Sequence, residues 1–410
     1  MRKRSPFALL WSAYAASTFG TYLALDAFAL IAIRVLDSGP GAVSALSAAG
    51  SAVGVLLAVP LGPWMEFRRK RPVLVTTDLV RCVAMLSVPI AFALGLLGYA
   101  QLLIVSIVVA AADIAFRAAS GTYLKIVVPQ EELLVANARF ESTTWTATAL
   151  GPPLGGTAIG LFGPVVTVLA DACSYLISAA TLGAIRAREP EPERTATGRV
   201  RLSDLSEGWR YLFTHPGLRP LFLNAVAVNG LIMATAPVLA VLMLGPLHFP
   251  TWQYGLAFGV PCLAGLAGAR LSAPLGRRYG QRRILLVAGT VRACWPLGLA
   301  CIGPGLPGLL LVMVVEAGLI ASIGIFNPIM ATYRLQQTDP SRVARVLTAW
   351  SITAKATIAV LTGLWGVLAQ LAGPRTALAV AGVLLLATPL LLRTRVPTRA
   401  VVPVGNSGGR

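Results

Sequence analysis

Phe116–Lys125 reads FRAASGTYLK, and Phe326–Leu335, 210 residues further on, reads FNPIMATYRL. Gly156–Pro164 (GTAIGLFGP) is answered in the same way by Gly366–Pro374 (GVLAQLAGP). The basic clusters Arg68-Arg69-Lys70-Arg71 and Arg277-Arg278…Arg282-Arg283 also fall at matching places. Halves that repeat at this spacing, each built of long apolar segments, are the sequence pattern of a membrane carrier whose substrate site lies between two repeats.

Composition points the same way. Of 410 residues, 56% are hydrophobic and only 12% charged, against the roughly 25% charged that a soluble domain uses. Most of the surface must therefore face lipid. The formal charge of +18 raises the question of nucleic acid. A nucleic-acid binder gathers its Lys and Arg on one accessible face, whereas here they sit in short loops between apolar stretches, so no nucleic-acid partner is expected. Cys82, Cys173, Cys262, Cys294 and Cys301 lie inside apolar segments with no CxxC pair, and read as small packing residues rather than as zinc ligands or disulfides. His215 and His248 stand apart in or beside loops, without metal-ligand spacing. No metal and no cofactor is called for.

A bilayer core is crossed by about 20 apolar residues. Windows of that kind cover 7–33, 41–65, 72–97, 101–127, 135–160 and 163–186, then 219–244, 252–275, 283–302, 307–331, 343–371 and 374–393. Numbered in this order they are spans 1 to 12. The stretch Pro6–Ile33 behind Met1-Arg-Lys-Arg has an apolar run too long for a signal peptide, and reads as the first crossing. The expected fold is an all-α membrane protein with twelve transmembrane helices in two pseudo-symmetric bundles. Residues 1–186 form the first bundle, 187–218 a linker, 219–395 the second bundle and 396–410 a tail. Within the linker, Leu202–Phe213 (LSDLSEGWRYLF) suits an amphipathic helix on the membrane surface.

Charge alternates from loop to loop. Arg2, Lys3, Arg4, Arg68–Arg71, Arg139, Arg186–Arg219, Arg277–Arg283, Arg334–Arg345 and Arg393–Arg410 fall on one side, while the opposite loops hold only Arg34 and Arg375. Positive residues stay in the cytoplasm during insertion, so both termini are expected there, in a bacterial cytoplasmic membrane.

Three segments carry a family resemblance extending over nearly the whole chain. Gly62-Pro-Trp-Met-Glu66-Phe-Arg-Arg-Lys70-Arg71, between spans 2 and 3, is similar to the G-x-x-x-D-R-x-G-R-K/R signature of the major facilitator superfamily. Gly151-Pro152-Pro153-Leu154-Gly155-Gly156 on span 5 resembles the core of its antiporter motif, and Glu207–Arg219 the usual end of the linker. Within that superfamily the chain looks like the bacterial exporters that include macrolide- and siderophore-efflux carriers. It departs from the pattern at Glu66, Phe67 and Arg69 of the loop, and has Ala138 and Ala147 where the antiporter motif has upstream glycines.

The motif residues also have physical readings. Glu66 with Lys70 and Arg71 suits a latch of charged hydrogen bonds between the cytoplasmic ends of helices, with a plain topology signal as the alternative. Asp78 and Arg81 either extend that gating network or form a local i,i+3 pair. Pro152 and Pro153 remove backbone donors and bend their helix, while Gly151, Gly155 and Gly156 let a neighbour come close.

An ionisable group at mid-membrane costs a few kcal/mol, so it faces a cavity or a partner. Asp26, Asp113, Arg117, Glu316 and Lys355 are such groups. The resemblance implies that spans 1, 4, 7 and 10 line a central cavity, which gives Asp26, Asp113, Arg117 and Glu316 access to water. Burial disfavours the charged form of a carboxyl and a nearby cation favours it, so an acid moved between such settings carries a proton. Asp26, with no basic residue within a turn, leads the candidates, followed by Glu316 and Asp113. Asp113 alternatively forms a fixed pair with Arg117, one helical turn away, and Lys355 reaches for Glu316, Asp113 or the cargo. Tyr22, Trp145, Asn224, Asn229, Asn327 and Trp350 are cavity candidates, a mixture suited to an amphiphilic organic molecule. Asp171, Arg270 and Arg292 are weaker candidates, Arg292 being the repeat partner of Arg81.

The sequence thus points to a secondary transporter, working as a monomer in the lipid bilayer and exporting a small molecule against protons. An uptake or facilitated-diffusion carrier of the same fold and a non-transporting membrane sensor are the alternatives. No G-x-x-x-x-G-K-S/T phosphate loop is present to use ATP, and no nucleophile–base constellation suggests an enzyme.

Overall fold

The computed structural model describes residues 5–24, 27–36, 68–185, 189 and 202–392. The first crossing is made by α1 (Pro6–Leu23) and α2 (Ala27–Arg34). Ser5 caps α1 by accepting a hydrogen bond from the Ala8 amide at 3.2 Å, with Pro6 at the first helical position, where its missing N–H costs nothing. After the undescribed window 41–65 come α3 (Lys70–Ala93), α4 (Tyr99–Val127), α5 (Leu133–Phe162) and α6 (Pro164–Gly183). The linker helix is α7 (Leu202–Thr214). The second half holds α8 (Leu218–Leu244), α9 (Thr251–Gly259), α10 (Pro261–Tyr279), α11 (Gln281–Cys294), α12 (Gly305–Gln337), α13 (Val343–Ala372) and α14 (Pro374–Ala387). Short 3₁₀ turns, Trp295–Cys301 and Thr388–Leu392, continue α11 and α14.

The repeat found in the sequence is a repeat of backbone geometry. Gly163, at φ 83°, ends α5, and Pro164 begins α6; Gly373, at φ 85°, ends α13, and Pro374 begins α14. A side chain is strained in that left-handed region, glycine is not, and the proline is pre-set for the next helix.

Among the described residues ten helical stretches are long and apolar enough to cross a membrane. The 30-residue α5 is not one of the ten, because Thr143, Thr144, Thr146, Thr148, Thr157, Pro152 and Pro153 lower its hydropathy. Its threonines remain compatible with lipid because each hydroxyl donates to the carbonyl four residues back, at 2.7–3.1 Å. At about 1.5 Å per residue it is long enough to cross.

The two halves meet unequally at their two ends. At the arginine-rich end, one apolar cluster joins Leu74, Tyr123 and Leu133 of the first half to Leu335, Val343, Ala344 and Leu347 of the second. There Leu134 of α5 is likewise buried in the second half's cluster. At the uncharged end, among the described residues, each apolar cluster draws its members from one half alone. The bundle is therefore closed at its basic end. Hydrogen bonds across that seam include Asn137 Nδ2 to Thr332 Oγ1 at 3.0 Å, Lys125 Nζ to the Thr338 carbonyl, and Gln336 Nε2 to the Gln130 carbonyl at 3.4 Å.

The linker helix differs from its expected place on the membrane surface. It packs on α13 and α8: Leu212 is fully buried, Trp209 Nε1 donates to Thr353 Oγ1 at 2.8 Å, and Glu207 pairs with Arg342 and Arg345. Gly208 lies so close to the Arg345 backbone that a Cβ there would collide with it. Protein rather than lipid takes up the apolar face.

Candidate functional site

Midway along α4, Arg117 Nε donates to both Asp113 oxygens, at 3.0 and 2.9 Å. The i,i+4 spacing places the two groups on one face. Lys355 Nζ, from α13 of the other half, stands 3.6 Å from Asp113 Oδ2. Tyr22 and Tyr14 of α1 lie within electrostatic reach of Arg117. The exposures, 26% for Asp113, 34% for Lys355 and 56% for Arg117, mean that the cluster is not sealed in packing. An acid, two cations and two phenols from α1, α4 and α13 thus come together between the halves.

A second polar site lies deeper, against the closed end. A cavity of 300 Å³ is lined by Glu141, Asn229, Arg292, Asn327, Arg334 and Trp350 together with apolar side chains of α8, α12 and α13. Glu141 Oε1 accepts from Trp145 Nε1 at 3.0 Å, one turn along α5, and from Asn327 Nδ2 of α12 at 2.9 Å. The second bond crosses from one half to the other. Glu141 and Asn327 thus form a polar tie inside the bundle. Glu141 is absent from the sequence candidates, although an acid inside the 135–160 window, with an indole donor one helical turn on, was a usable signal. Arg334 counts as a loop residue by its charge, but α12 runs on to Gln337 and carries it to the cavity wall.

The repeat shows what is unusual about Arg292. In the first half, Arg81 lies over Phe116 at 4.5 Å and over Tyr175 at 4.4 Å, and pairs with Asp78, which also accepts from Ser178 Oγ at 2.5 Å. In the second half, Arg292 lies over Phe326, the counterpart of Phe116, at 3.5 Å. The place of Asp78, however, is taken by Gly289. Asn224 Oδ1 accepts from Arg292 Nη2 at 2.5 Å instead, while Asn224 Nδ2 donates to the Thr388 carbonyl at 2.8 Å. A desolvated cation–π contact contributes about 2 kcal/mol, which offsets much of the few kcal/mol that a buried guanidinium costs. No counter-ion completes the arrangement among the described residues.

The other sequence candidates fall as follows. Asn224 is fully buried and supports Arg292; it does not line the cavity. Asn229 and Asn327 do line it. Glu316 is 8% exposed on α12, within electrostatic reach of Tyr254 and Cys262, and is not part of the cavity wall. Asp26, Gly62 and Glu66 lie outside the described residues.

Of the loop motif, Arg71 holds the end of α6 through the Leu182 and Gly183 carbonyls, and Lys70 Nζ donates to the Arg68 carbonyl at 2.8 Å. The amides of Lys70 and Arg71 donate to the Glu189 carboxylate, which thereby caps the positive end of α3. The described contacts of Lys70, Arg71, Asp78 and Arg81 thus stay inside the first half and the start of the linker. In the antiporter-like segment, Gly151 and Gly155 pack on Tyr22 and on the Leu23 backbone of α1, where a Cβ would collide, whereas Gly156 faces open space. Pro152 is part of the same continuous helix. Among the described residues no group of three or more His, Cys, Asp or Glu is arranged to hold a metal ion.

Two pseudo-symmetric helical halves, joined at one end and enclosing polar sites between them, define a multi-pass membrane carrier. The family model of the Major Facilitator Superfamily matches residues 10–333, and the chain belongs to that superfamily. It is similar to the multidrug efflux pump Tap of Mycolicibacterium fortuitum, with 25% identity over 83% of each chain. The Tap pump of Mycobacterium tuberculosis strain H37Rv is 26% identical over 91% of this chain and 87% of its own. A bacterial homologue of the iron transporter ferroportin, solved in an outward-facing state, shares the fold with a TM-score of 0.78 at 15% identity, covering 94% of this chain and 98% of that one. The human organic anion transporter MFSD10 does so at 0.76 and 15%, covering 96% and 100%. The protein is a transporter of the major facilitator fold, not an enzyme.

Proposed function

We propose that the protein exports an amphiphilic drug-like or natural-product molecule, exchanging it for protons by rocking its two halves about the polar sites between them. The arginine-rich end faces the bacterial cytoplasm, both termini lie there, and the protein works as a monomer. One observation carries this view: the ionic cluster of Asp113, Arg117 and Lys355 joins the halves in a bundle that, among the described residues, shares an apolar cluster between its halves at the basic end. Rocking changes whether Asp113 shares its charge with a cation of its own half or of both. A carboxylate whose ion partners depend on the lean of the halves links a proton to a conformation. Asp113 is therefore placed first among the proton carriers, with Glu316 and Asp26 behind it. Similarity to efflux pumps of the Tap type supports the direction of transport.

Ethidium accumulation in cells expressing the chain, and ethidium movement in proteoliposomes under an imposed proton gradient, test this. Gradient-driven movement abolished by an uncoupler is expected. Movement that equilibrates without a gradient makes the protein a facilitator, and dye accumulation that rises on expression makes it an importer.

A further inference from the structure

We propose that the cavity among α8, α11, α12 and α13 is a binding site for the acidic group of an organic anion, with Arg292 and Arg334 as its cationic partners. This adds a substrate class to the transport function proposed above, beside the cationic dye used to test it, and rests on that function.

The first support is the broken symmetry of the repeat. Arg81 has its acid, Asp78, whereas Gly289 leaves Arg292 without one. Arg292 is nonetheless 4% exposed, and its Nε has no hydrogen-bond partner. A guanidinium stays protonated in proteins, so this is a buried charge beside a cavity, held by Asn224 and the Phe326 ring but by no anion among the described residues.

Arg334 adds a second. Its guanidinium lies over Trp350 at 4.6 Å, its Nε is buried without a partner, and it forms no ion pair among the described residues. Opposite stands Glu141, whose Oε1 already accepts two hydrogen bonds and which forms no ion pair with either arginine. The wall therefore carries two guanidiniums against one carboxylate, a net attraction for an anion.

Shape agrees with charge. The planar fork of arginine matches a carboxylate or other oxyanion in two parallel bonds, and Asn229 provides a further polar contact. Ala225, Val228 and Ile232 of α8 supply an apolar surface for a ring, and 300 Å³ is the lower end of the size range of small-molecule pockets. An aromatic acid of one or two rings fits that description.

Binding is measured on the full chain purified in detergent, by calorimetry and tryptophan fluorescence, with 1-naphthoate and its near-isosteres 1-naphthamide and 1-naphthylmethylammonium. The acid is expected to bind at least about tenfold more tightly than the amide, and the ammonium ion more weakly still. Arg334→Gln and Arg292→Gln are each expected to weaken naphthoate about tenfold or more and to leave the amide unchanged, while Glu141→Gln tightens naphthoate. If Arg292→Gln does not fold, Arg334→Gln and Arg292→Lys decide. Equal affinity for acid and amide, no naphthoate binding, or naphthoate binding indifferent to Arg334→Gln overturns the site. Because binding is read without transport, the two proposals fail separately: ethidium export without naphthoate binding removes only the anion site, and naphthoate binding without any transport removes only the export function.

Discussion

Lys355 Nζ lies 3.6 Å from Asp113 Oδ2, one residue from each half of the bundle, and Arg117 holds the same carboxylate from its own helix. With a quarter to a third of each side chain of the cross-pair exposed, solvent screening limits it to about 0–1 kcal/mol of stability. The contact of α4 with α13 does not depend on it, since Gly121 packs against Leu347 nearby. Asp113→Asn and Lys355→Gln are thus expected to lower the unfolding free energy by no more than about 1 kcal/mol while removing most of the efflux, because intramembrane charges mark substrate and proton paths. Thermal unfolding in detergent and dye efflux, measured on the same preparations, decide this. Efflux lost only in proportion to folded protein would make the pair structural.

Asp78 and Arg81 predict the opposite. They are 0% and 3% exposed, and Ser178 supplies a third member from α6. Removing one partner of a buried pair leaves an uncompensated charge and costs about 3–5 kcal/mol. Asp78→Ala is expected to unfold at clearly lower temperature with reduced yield, and Ser178→Ala to lose about 1.5–3 kcal/mol, the contribution of a hydrogen bond to a charged group. A stable Asp78→Ala protein that fails only in transport would place this network in the gate rather than in the packing of the first half.

These two pairs show where the sequence was legible. The i,i+3 and i,i+4 spacings make Asp78–Arg81 and Asp113–Arg117 visible directly, and the 210-residue period foretells the Gly163-Pro164 and Gly373-Pro374 turns. What a span cannot display is its rotation about its own axis when apolar residues surround it. Asn224 and Asn229 lie five residues apart on α8, yet the first supports Arg292 and the second faces the cavity. Glu141 is hidden for a different reason, since α5 is rich in hydroxyls and one more polar residue does not stand out. Arg334 is hidden by helix length, because the 33 residues of α12 extend beyond the apolar window that a bilayer requires.

The glycines of α5 give a sharp contrast. A Cβ on Gly155 would meet the Leu23 backbone, which cannot give way as a side-chain tip does, while a Cβ on Gly156 meets nothing within 4 Å. Close approach of helices in a membrane depends on such small residues. Gly155→Ala is expected to force α1 and α5 apart, lowering both the unfolding temperature and efflux, while Gly156→Ala leaves both near wild type. Equal tolerance of the two substitutions in a melting assay would contradict the packing of α1 on α5.

Closure at the basic end can be tested by fixing it. Asn137 Nδ2 and Thr332 Oγ1 are 3.0 Å apart and buried, so cysteines at these positions lie within reach of a short thiol-specific cross-linker. The native cysteines Cys82, Cys173, Cys262, Cys294 and Cys301 are first replaced to leave this pair alone. Alternating access requires the seam to open in every cycle, whereas cargo binding from the uncharged end does not. The cross-linked Asn137→Cys/Thr332→Cys protein is therefore expected to lose dye transport almost completely, to keep its dye affinity, and to recover transport when a cleavable linker is reduced. Transport that continues at the wild-type rate through a completely cross-linked seam would mean that the halves do not part at this end, and rocking of the two bundles could not be the mechanism.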